Sequence, residues 1–130
     1  MYCLDTNIII DIFHGDTDLK LHLDKIISSG ATIFITPITL CELYKGAYTI
    51  FNSEKEVKEI DNFVSSLELL DFDQTSCKFF GEIYAKLKKI GKMSGQADLM
   101  IASIVKANNL IFITRNKKHF EHTGIKVEEW

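Results

Sequence analysis

The sequence predicts an α/β protein in which a central, mainly parallel β-sheet is flanked by helices. Two observations carry this prediction. Short apolar runs such as Thr32-Ile33-Phe34-Ile35 and Leu110-Ile111-Phe112-Ile113 show no alternation with polar residues, which is typical of strands buried on both faces. Longer stretches with helical periodicity separate these runs and favour parallel strands joined by crossover helices. The length of 130 residues fits a single domain, residues 1–130.

The strand assignments follow from apolar runs, and the helix assignments follow from periodicity and end signals. The predicted strands cover residues 2–4, 32–35, 68–72, 110–113 and 125–128. Gly15, Gly30 and Gly91 are placed to end helices, whereas Thr36 is placed to cap a helix that Pro37 begins. The predicted helices cover residues 7–14, 18–29, 37–49, 54–67, 75–90 and 95–105, with a short turn at 116–120.

The helix at residues 95–105 differs from the others because apolar residues occupy nearly every face. Such a helix is buried rather than amphipathic. Its one charged residue, Asp98, comes near the start, after Ser94 and Gly95. A carboxylate beside a buried helix is costly unless it is hydrogen-bonded or holds a cation. The surroundings of Asp98 are therefore the first place to look for a functional site.

Charge and cysteine content exclude several classes of protein. The net charge of −3 excludes a uniformly basic nucleic-acid binder. The three cysteines (Cys3, Cys41 and Cys77) are odd in number and lack metal-knuckle spacing, which predicts reduced thiols in a cytoplasmic protein. The first residues lack the features of a signal peptide, and no apolar run is long enough to cross a bilayer. We therefore expect a cytoplasmic protein with no membrane partner.

Four polar residues occupy positions beyond the carboxyl ends of the strands, where sheets of this kind bind ligands. Asp5 follows the first strand directly, and Asn116 follows the fourth strand by three residues. Glu42 lies in the helix after the second strand, and Asp98 begins the helix that leads to the fourth. If these side chains converge, their oxygens suit Mg²⁺ or Mn²⁺.

Each of the four also has a structural explanation. Asp5 or Asn116 could cap the helix that follows it, and Asp98 could be favoured by the helix dipole. Glu42 could form a capping box with Thr39, although a helix that begins at residue 37 places Glu42 inside it.

Other motifs are weak. A pair of histidines three residues apart, His119 and His122, has no accompanying zinc signature, so both are predicted to be surface residues. No glycine-rich phosphate loop is present. Basic residues form two clusters, each of which by itself is typical of a solvated surface: Lys86, Lys88, Lys89 and Lys92, then Arg115, Lys117 and Lys118.

Four segments, taken in order, resemble the motifs of one known family. They are Leu4-Asp5-Thr6-Asn7-Ile8-Ile9, Ile38-Thr39-Leu40-Cys41-Glu42-Leu43-Tyr44-Lys45-Gly46, Asp98-Leu99-Met100-Ile101-Ala102 and Ile113-Thr114-Arg115-Asn116-Lys117-Lys118-His119-Phe120. Together with the closing residues 124–130, they look like PIN-domain ribonucleases, and in particular like the VapC-type toxins of bacterial and archaeal toxin–antitoxin pairs. The resemblance covers the whole chain.

The resemblance implies a three-layer PIN-like fold and a metal-dependent endoribonuclease that cuts cellular RNA, with transfer RNA among the candidates, and so arrests growth. By position, Asp5, Glu42 and Asp98 look like the acidic residues that hold Mg²⁺ or Mn²⁺. Asn116 falls where many members carry a fourth acidic residue. Two hydroxyl residues fall where members place hydroxyls near the site, namely Thr6 and Thr114.

The resemblance also implies partners. It implies an RNA substrate, a small VapB-type antitoxin whose tail covers the site, and a homodimer. Since the pocket is acidic, RNA needs a basic rim to approach it. The cluster of Arg115, Lys117 and Lys118 is the better candidate for that rim because it adjoins Asn116.

Two other functions stay open at the level of sequence. A phosphotransfer domain of the receiver or haloacid-dehalogenase type also places an aspartate at a strand end, and Asp5 and Thr114 could take those roles. No second aspartate follows Asp5 by two residues, however, and no lysine stands at a strand end. A PIN domain that binds RNA or a partner without cutting is favoured only by the neutral Asn116.

Overall fold

A five-stranded, all-parallel sheet forms the middle layer of the computed structural model, which describes residues 1–130. The strands are β1 (Tyr2–Leu4), β2 (Ile33–Ile35), β3 (Glu68–Leu69), β4 (Ile111–Ile113) and β5 (Lys126–Glu128). Their order across the sheet is β3-β2-β1-β4-β5. The chain therefore winds outward from β1 in one direction and from β4 in the other. The point where the winding reverses lies between the carboxyl ends of these two central strands.

Six α-helices cover the two faces of the sheet, and a short 3-10 helix, Lys117–Phe120, follows β4. The α-helices are α1 (Thr6–Phe13), α2 (Thr17–Ser28), α3 (Pro37–Tyr48), α4 (Ser53–Val64), α5 (Gln74–Ile90) and α6 (Gln96–Ala107). The predicted α/β fold with a mainly parallel sheet is confirmed. No helix in the chain combines the length and the apolar character that a membrane crossing requires.

The strands alternate between two cores, as the two-residue period of a β-strand requires. Leu4, Ile35 and Ile113 point into a core with the first four helices, whereas Cys3 and Phe112 point into a core with α6. α5 packs on the outside of α6 through a third apolar cluster. Because α6 lies between the sheet and α5, its residues 101–105 are all buried. The prediction of a buried helix after Asp98 is confirmed.

Local signals set most of the helix starts and ends. The Thr36 hydroxyl accepts the Thr39 N–H at 3.1 Å, and Pro37 occupies the first helical position of α3. α5 ends at Gly91, whose φ of 69° is the left-handed conformation that glycine adopts without strain.

Two predicted boundaries are wrong. α4 ends at Val64 rather than Leu67, because the hydroxyls of Ser65 and Ser66 donate back to main-chain carbonyls of the last turn. β3 covers two residues of the five predicted, since it is an edge strand that pairs only with β2.

Burial of α6 gives a stability prediction. Ile104 is 0% exposed and Ile90, at the end of α5, is 47% exposed. Ile104→Ala removes buried methyl groups and leaves a cavity, so it should lower the free energy of unfolding by about 2–5 kcal/mol. The same substitution at Ile90 should cost less than about 1 kcal/mol. Urea unfolding of both variants tests this, and equal losses would contradict the sandwiched position of α6.

Candidate active site

Asp5 stands where the winding of the sheet reverses, directly after β1. One carboxylate oxygen, Oδ1, accepts the N–H of Thr6 at 2.7 Å and caps α1. The other, Oδ2, accepts the hydroxyl of Thr114 at 2.6 Å, directly after β4. The side chain is thus held by both central strands, and the residue is only 7% exposed. Asp5 therefore both caps α1 and belongs to the candidate site.

The Thr114 hydroxyl takes part in three hydrogen bonds. It donates to Asp5 and accepts from the side-chain amide of Asn7 at 3.3 Å and from the main-chain N–H of Asn116 at 3.0 Å. Asn7 in turn accepts the N–H of Arg115 at 3.4 Å. These bonds fix the loop after β4 against the start of α1. Asn7 was not predicted as a site residue, and its place beside Asp5 and Thr6 in the first motif was the available signal.

Glu42 reaches the site from the second turn of α3. Its Oε1 accepts the hydroxyl of Thr6 at 3.0 Å, which ties α3 to the start of α1. The capping-box alternative for Glu42 is wrong, because Thr36 is the cap of this helix and Glu42 bonds to Thr6 instead. Both threonines selected from the sequence, Thr6 and Thr114, thus donate to predicted site carboxylates.

Asp98 lies in the first turn of α6, where the helix begins at Gly95 without a side-chain cap. Its Oδ2 is 3.3 Å from Nδ1 of His119, which belongs to the short 3-10 helix. The predicted surface position of His119 is confirmed, since its side chain is 60% exposed, but its contact with Asp98 was not predicted. No spacing in the sequence connects the two residues.

Asn116 approaches the site through its backbone. Its N–H bonds to Thr114, whereas its exposed side chain does not cap the short 3-10 helix that follows. The structure therefore brings Asp5, Glu42 and Asp98 to one edge of the sheet and gives Asn116 a peripheral place. The capping alternative for Asn116 is wrong.

The charges of Glu42 and Asp98 act on Asp5. Burial is the main cause that raises the pKa of Asp5, and the charges of Asp98 and Glu42 raise it further against the hydrogen bonds from Thr114 and Thr6. Burial also raises the pKa of Asp98, against the lowering effect of His119.

The donor set is chemically suited to a hard divalent cation, since it consists of carboxylate and hydroxyl oxygens. No three acidic, histidine or cysteine side chains lie close enough to ligate one ion together without adjustment. Mg²⁺ is commonly held by one or two carboxylates together with water molecules, so the wider spacing is compatible with it. The donor chemistry therefore suits Mg²⁺ or Mn²⁺, although the three carboxylates do not form a ready three-ligand site in this structure.

Two carboxylates of the candidate site line open cavities of different character. Asp98 lines a polar cavity of about 400 Å³, with one apolar residue among nine. Glu42 lines a separate groove of about 370 Å³ between α1, α3 and α4, which we call the Glu42 groove. Six of its eleven lining residues are apolar, and Ile10 and Ile50 are exposed there.

The three residues of the predicted basic rim differ in whether their charge is paired. Arg115 forms ion pairs with Asp11 at 2.8 Å and Asp16 at 3.0 Å, so its charge is matched and it anchors the loop to α1 and α2. Its contact with RNA stays a prediction. Lys117 and Lys118 are exposed and form no ion pair.

The pKa of Asp5 is raised and the pKa of Asp73 is lowered. The two carboxyl groups should therefore change the pH dependence of folding stability in opposite directions in metal-free protein. A raised pKa contributes stability that is complete below the unfolded value and lost as pH rises through the folded pKa. Asp5→Asn should therefore make stability fall less between about pH 4 and pH 7 than in the unsubstituted chain. Hydrogen bonds lost in Asp5→Asn lower stability by the same amount at every pH, so they do not change the slope of stability against pH.

The control is Asp73→Asn, at the cap of α5, where hydrogen bonds from Ser76 lower the pKa of the aspartate. Its contribution is present above the unfolded pKa and lost as pH falls below about 4, so in that lower range Asp73→Asn should make stability fall less with falling pH than in the unsubstituted chain. Urea unfolding with a chelator present measures both slopes. Shifts of the same sign would contradict the assignment.

Comparison with known proteins finds relatives that match over nearly the whole chain. The chain is 32% identical over 130 residues to ribonuclease VapC2 of Haemophilus influenzae, covering 99% of this chain and 97% of that protein. It is 31% identical over 131 residues to the tRNA(fMet)-specific endonuclease VapC of Shigella flexneri, with 99% and 97% covered. A crystal structure of VapBC2 from Rickettsia felis bound to a promoter DNA fragment matches with a TM-score of 0.90 and 32% identity, covering 99% of this chain and 98% of that one.

The predicted resemblance is thereby confirmed, and the phosphotransfer alternative loses its basis. The profile of the PIN domain family matches residues 2–126, which is nearly the whole chain. The family match, the sequence identities and the shared fold together show that the chain belongs to the PIN domain family.

Proposed function

We propose that residues 1–130 form one PIN-like domain that acts as a Mg²⁺- or Mn²⁺-dependent endoribonuclease, the toxin of a VapBC-type toxin–antitoxin pair. The observation that supports this most directly is the placement of Asp5, Glu42 and Asp98 near the point where the sheet reverses its winding, where the charges of Glu42 and Asp98 act on Asp5. Full-length relatives named ribonuclease VapC2 and VapC endonuclease support the reaction class. The solved VapBC2 structure supports an antitoxin partner.

Asp5, Glu42 and Asp98 would hold the cation. When bound, it supplies an activated water and offsets negative charge on the phosphate in the transition state. Thr114 and Thr6 keep Asp5 and Glu42 in place by donating to one oxygen of each carboxylate, which leaves other lone pairs free.

The reaction is an in-line displacement at phosphorus. The water oxygen forms the new bond to phosphorus, the bond to the 3′-oxygen breaks, and that oxygen takes up a proton. The products are a 5′-phosphate and a 3′-hydroxyl. The exposed side-chain amide of Asn116 lies at the edge of the site, where it can orient the water or a phosphate oxygen.

The Glu42 groove supports the antitoxin part of the proposal. It is an apolar channel that leads to a site carboxylate, and it also contains Glu56 and Glu59. A partner helix or strand with apolar anchors and a basic residue near Glu42 would fill the groove and compete with the cation.

Cleavage of total cellular RNA is the experiment that tests the proposed function. The chain, stripped of its antitoxin, should give discrete fragments with 5′-phosphates when Mg²⁺ or Mn²⁺ is added. Asp98→Asn should lower the cleavage rate by more than about 100-fold with the fold intact, because an amide is a poor metal ligand. Asp18→Asn, at an exposed position on α2, is the matched control.

The result would be read from mapped RNA ends together with thermal unfolding in the presence of Mn²⁺. Mn²⁺ should raise the melting temperature of the unsubstituted chain and of Asp18→Asn more than that of Asp98→Asn. Absence of cleavage for transfer, ribosomal and messenger RNA while Mn²⁺ still binds would overturn the nuclease and favour a binding-only PIN domain.

The antitoxin assignment predicts that Ile50→Asp abolishes co-purification with the small protein encoded next to this chain. Ile50 lines the Glu42 groove and is 48% exposed, so a charge there opposes an apolar anchor. Leu21→Asp, at a residue that is 66% exposed on α2, is the control and should co-purify normally. Equal retention of the partner by both variants would place the antitoxin elsewhere.

A further inference from the structure

The polar cavity beside Asp98 is built from two segments that are far apart in sequence. One is the connection between α5 and α6, which includes Lys92. The other is the short 3-10 helix and the residues after it. The charged and titratable residues that line the cavity are Lys92, Asp98, Lys118, His119, Glu121 and His122.

Specific contacts fix the two walls of this cavity relative to each other. The Ser94 hydroxyl donates to the carbonyl of His119 at 3.2 Å, and the His119 ring lies 3.3 Å from Asp98. On the α5 side, the left-handed turn at Gly91 is closed by a bond from the Lys92 N–H to the Leu87 carbonyl at 3.0 Å. The backbone that carries Lys92 at the cavity is therefore ordered by its own hydrogen bond.

The ammonium groups at this cavity are free to bind an anion. Neither Lys92 nor Lys118 takes part in an ion pair within the chain. Of the two acids in the lining, Asp98 faces His119, which leaves Glu121 as the remaining negative charge. Unpaired positive charges at the mouth of a concave site raise the local concentration of anionic ligands.

A second cavity of about 320 Å³ continues from the first, with Glu121 and His122 common to both. It adds Lys86 from α5 and Lys117 from the 3-10 helix. The two lysine clusters that are separate in the sequence thus line one continuous surface, which we call the lysine path. The Glu42 groove carries Glu56 and Glu59 instead, and these negative charges repel phosphates.

Resting on the nuclease function above, we propose that the lysine path is the track of a single RNA strand leading away from the cleaved bond. The cavity beside Asp98 takes the nucleotide next to that bond, with Lys92 and Lys118 on its phosphate. The following phosphate passes Lys86 and Lys117. A cavity of about 400 Å³ admits one splayed nucleotide, whereas a base-paired helix cannot enter it.

Binding of a fluorescent single-stranded RNA that contains the mapped cleavage site tests the path. The assay uses an Asp5→Asn background, which blocks cleavage at a residue outside both cavities. Adding Lys92→Gln and Lys118→Gln should weaken binding by at least about tenfold and reduce the slope of log affinity against log salt by about 1.4, for two lost phosphate contacts. The control adds Lys55→Gln and Lys58→Gln, which remove the same charge from exposed positions on α4.

A second arm replaces single phosphates of the RNA by uncharged methylphosphonates on either side of the cleaved bond. The proposal requires that binding weakens for replacements on one side only. It also requires that this loss disappears in the Lys92 and Lys118 variant, because the lysines and the phosphate form one interaction. Equal effects on both sides, or a loss that persists in the variant, would overturn the path.

The outcomes separate this proposal from the nuclease function. If the unsubstituted chain cleaves RNA while the Lys92 and Lys118 variant binds as tightly as the α4 control, the nuclease stands and the path is wrong. If the unsubstituted chain neither binds nor cleaves RNA, both proposals fail. Tighter binding of a duplex than of the single strand would also overturn the path.

Discussion

The hydrogen bond from Thr114 to Asp5 is the contact on which the candidate site depends. It joins residues 109 positions apart and links the ends of the two central strands at 2.6 Å. Without it, a nearly buried carboxylate would lack its strongest partner outside its own turn, and the loop after β4 would lose its anchor. The same hydroxyl also receives the Asn116 N–H, so the carboxylate and the loop are fixed together.

This arrangement keeps negative charge where the fold alone would disfavour it. Burial and neighbouring carboxylates raise the pKa of Asp5, so ionised Asp5 is less stable there than in water. A cation relieves that cost, which is the physical reason to expect metal affinity in a chain whose net charge is already −3. The surroundings of the site also differ in charge. The unpaired Lys92 and Lys118 line the cavity beside Asp98, whereas Glu56 and Glu59 line the Glu42 groove.

The parts that sequence reasoning predicted are those that local chemistry decides. Thr36 and Pro37 are neighbours in sequence and together determine where α3 starts. The apolar residues on nearly every face of α6 require that helix to be buried. Asp5, Glu42 and Asp98 could be selected because each lies at a strand end or an early helical turn. The distant contacts could not be predicted, since no local pattern pairs His119 with Asp98 or Arg115 with Asp11 and Asp16. The convergence of Lys92 and Lys118 likewise depends on tertiary packing.

The neutral side chain of Asn116 limits how much divalent charge the candidate site can balance. Were it an aspartate, four carboxylates would be available, enough charge to balance two divalent ions without help from RNA. With Asn116 neutral, three carboxylates remain, and one of them contacts His119. One divalent ion balances most of this charge, and a second would need negative charge from the substrate phosphate. On charge alone, the proposed site therefore favours one divalent ion over two.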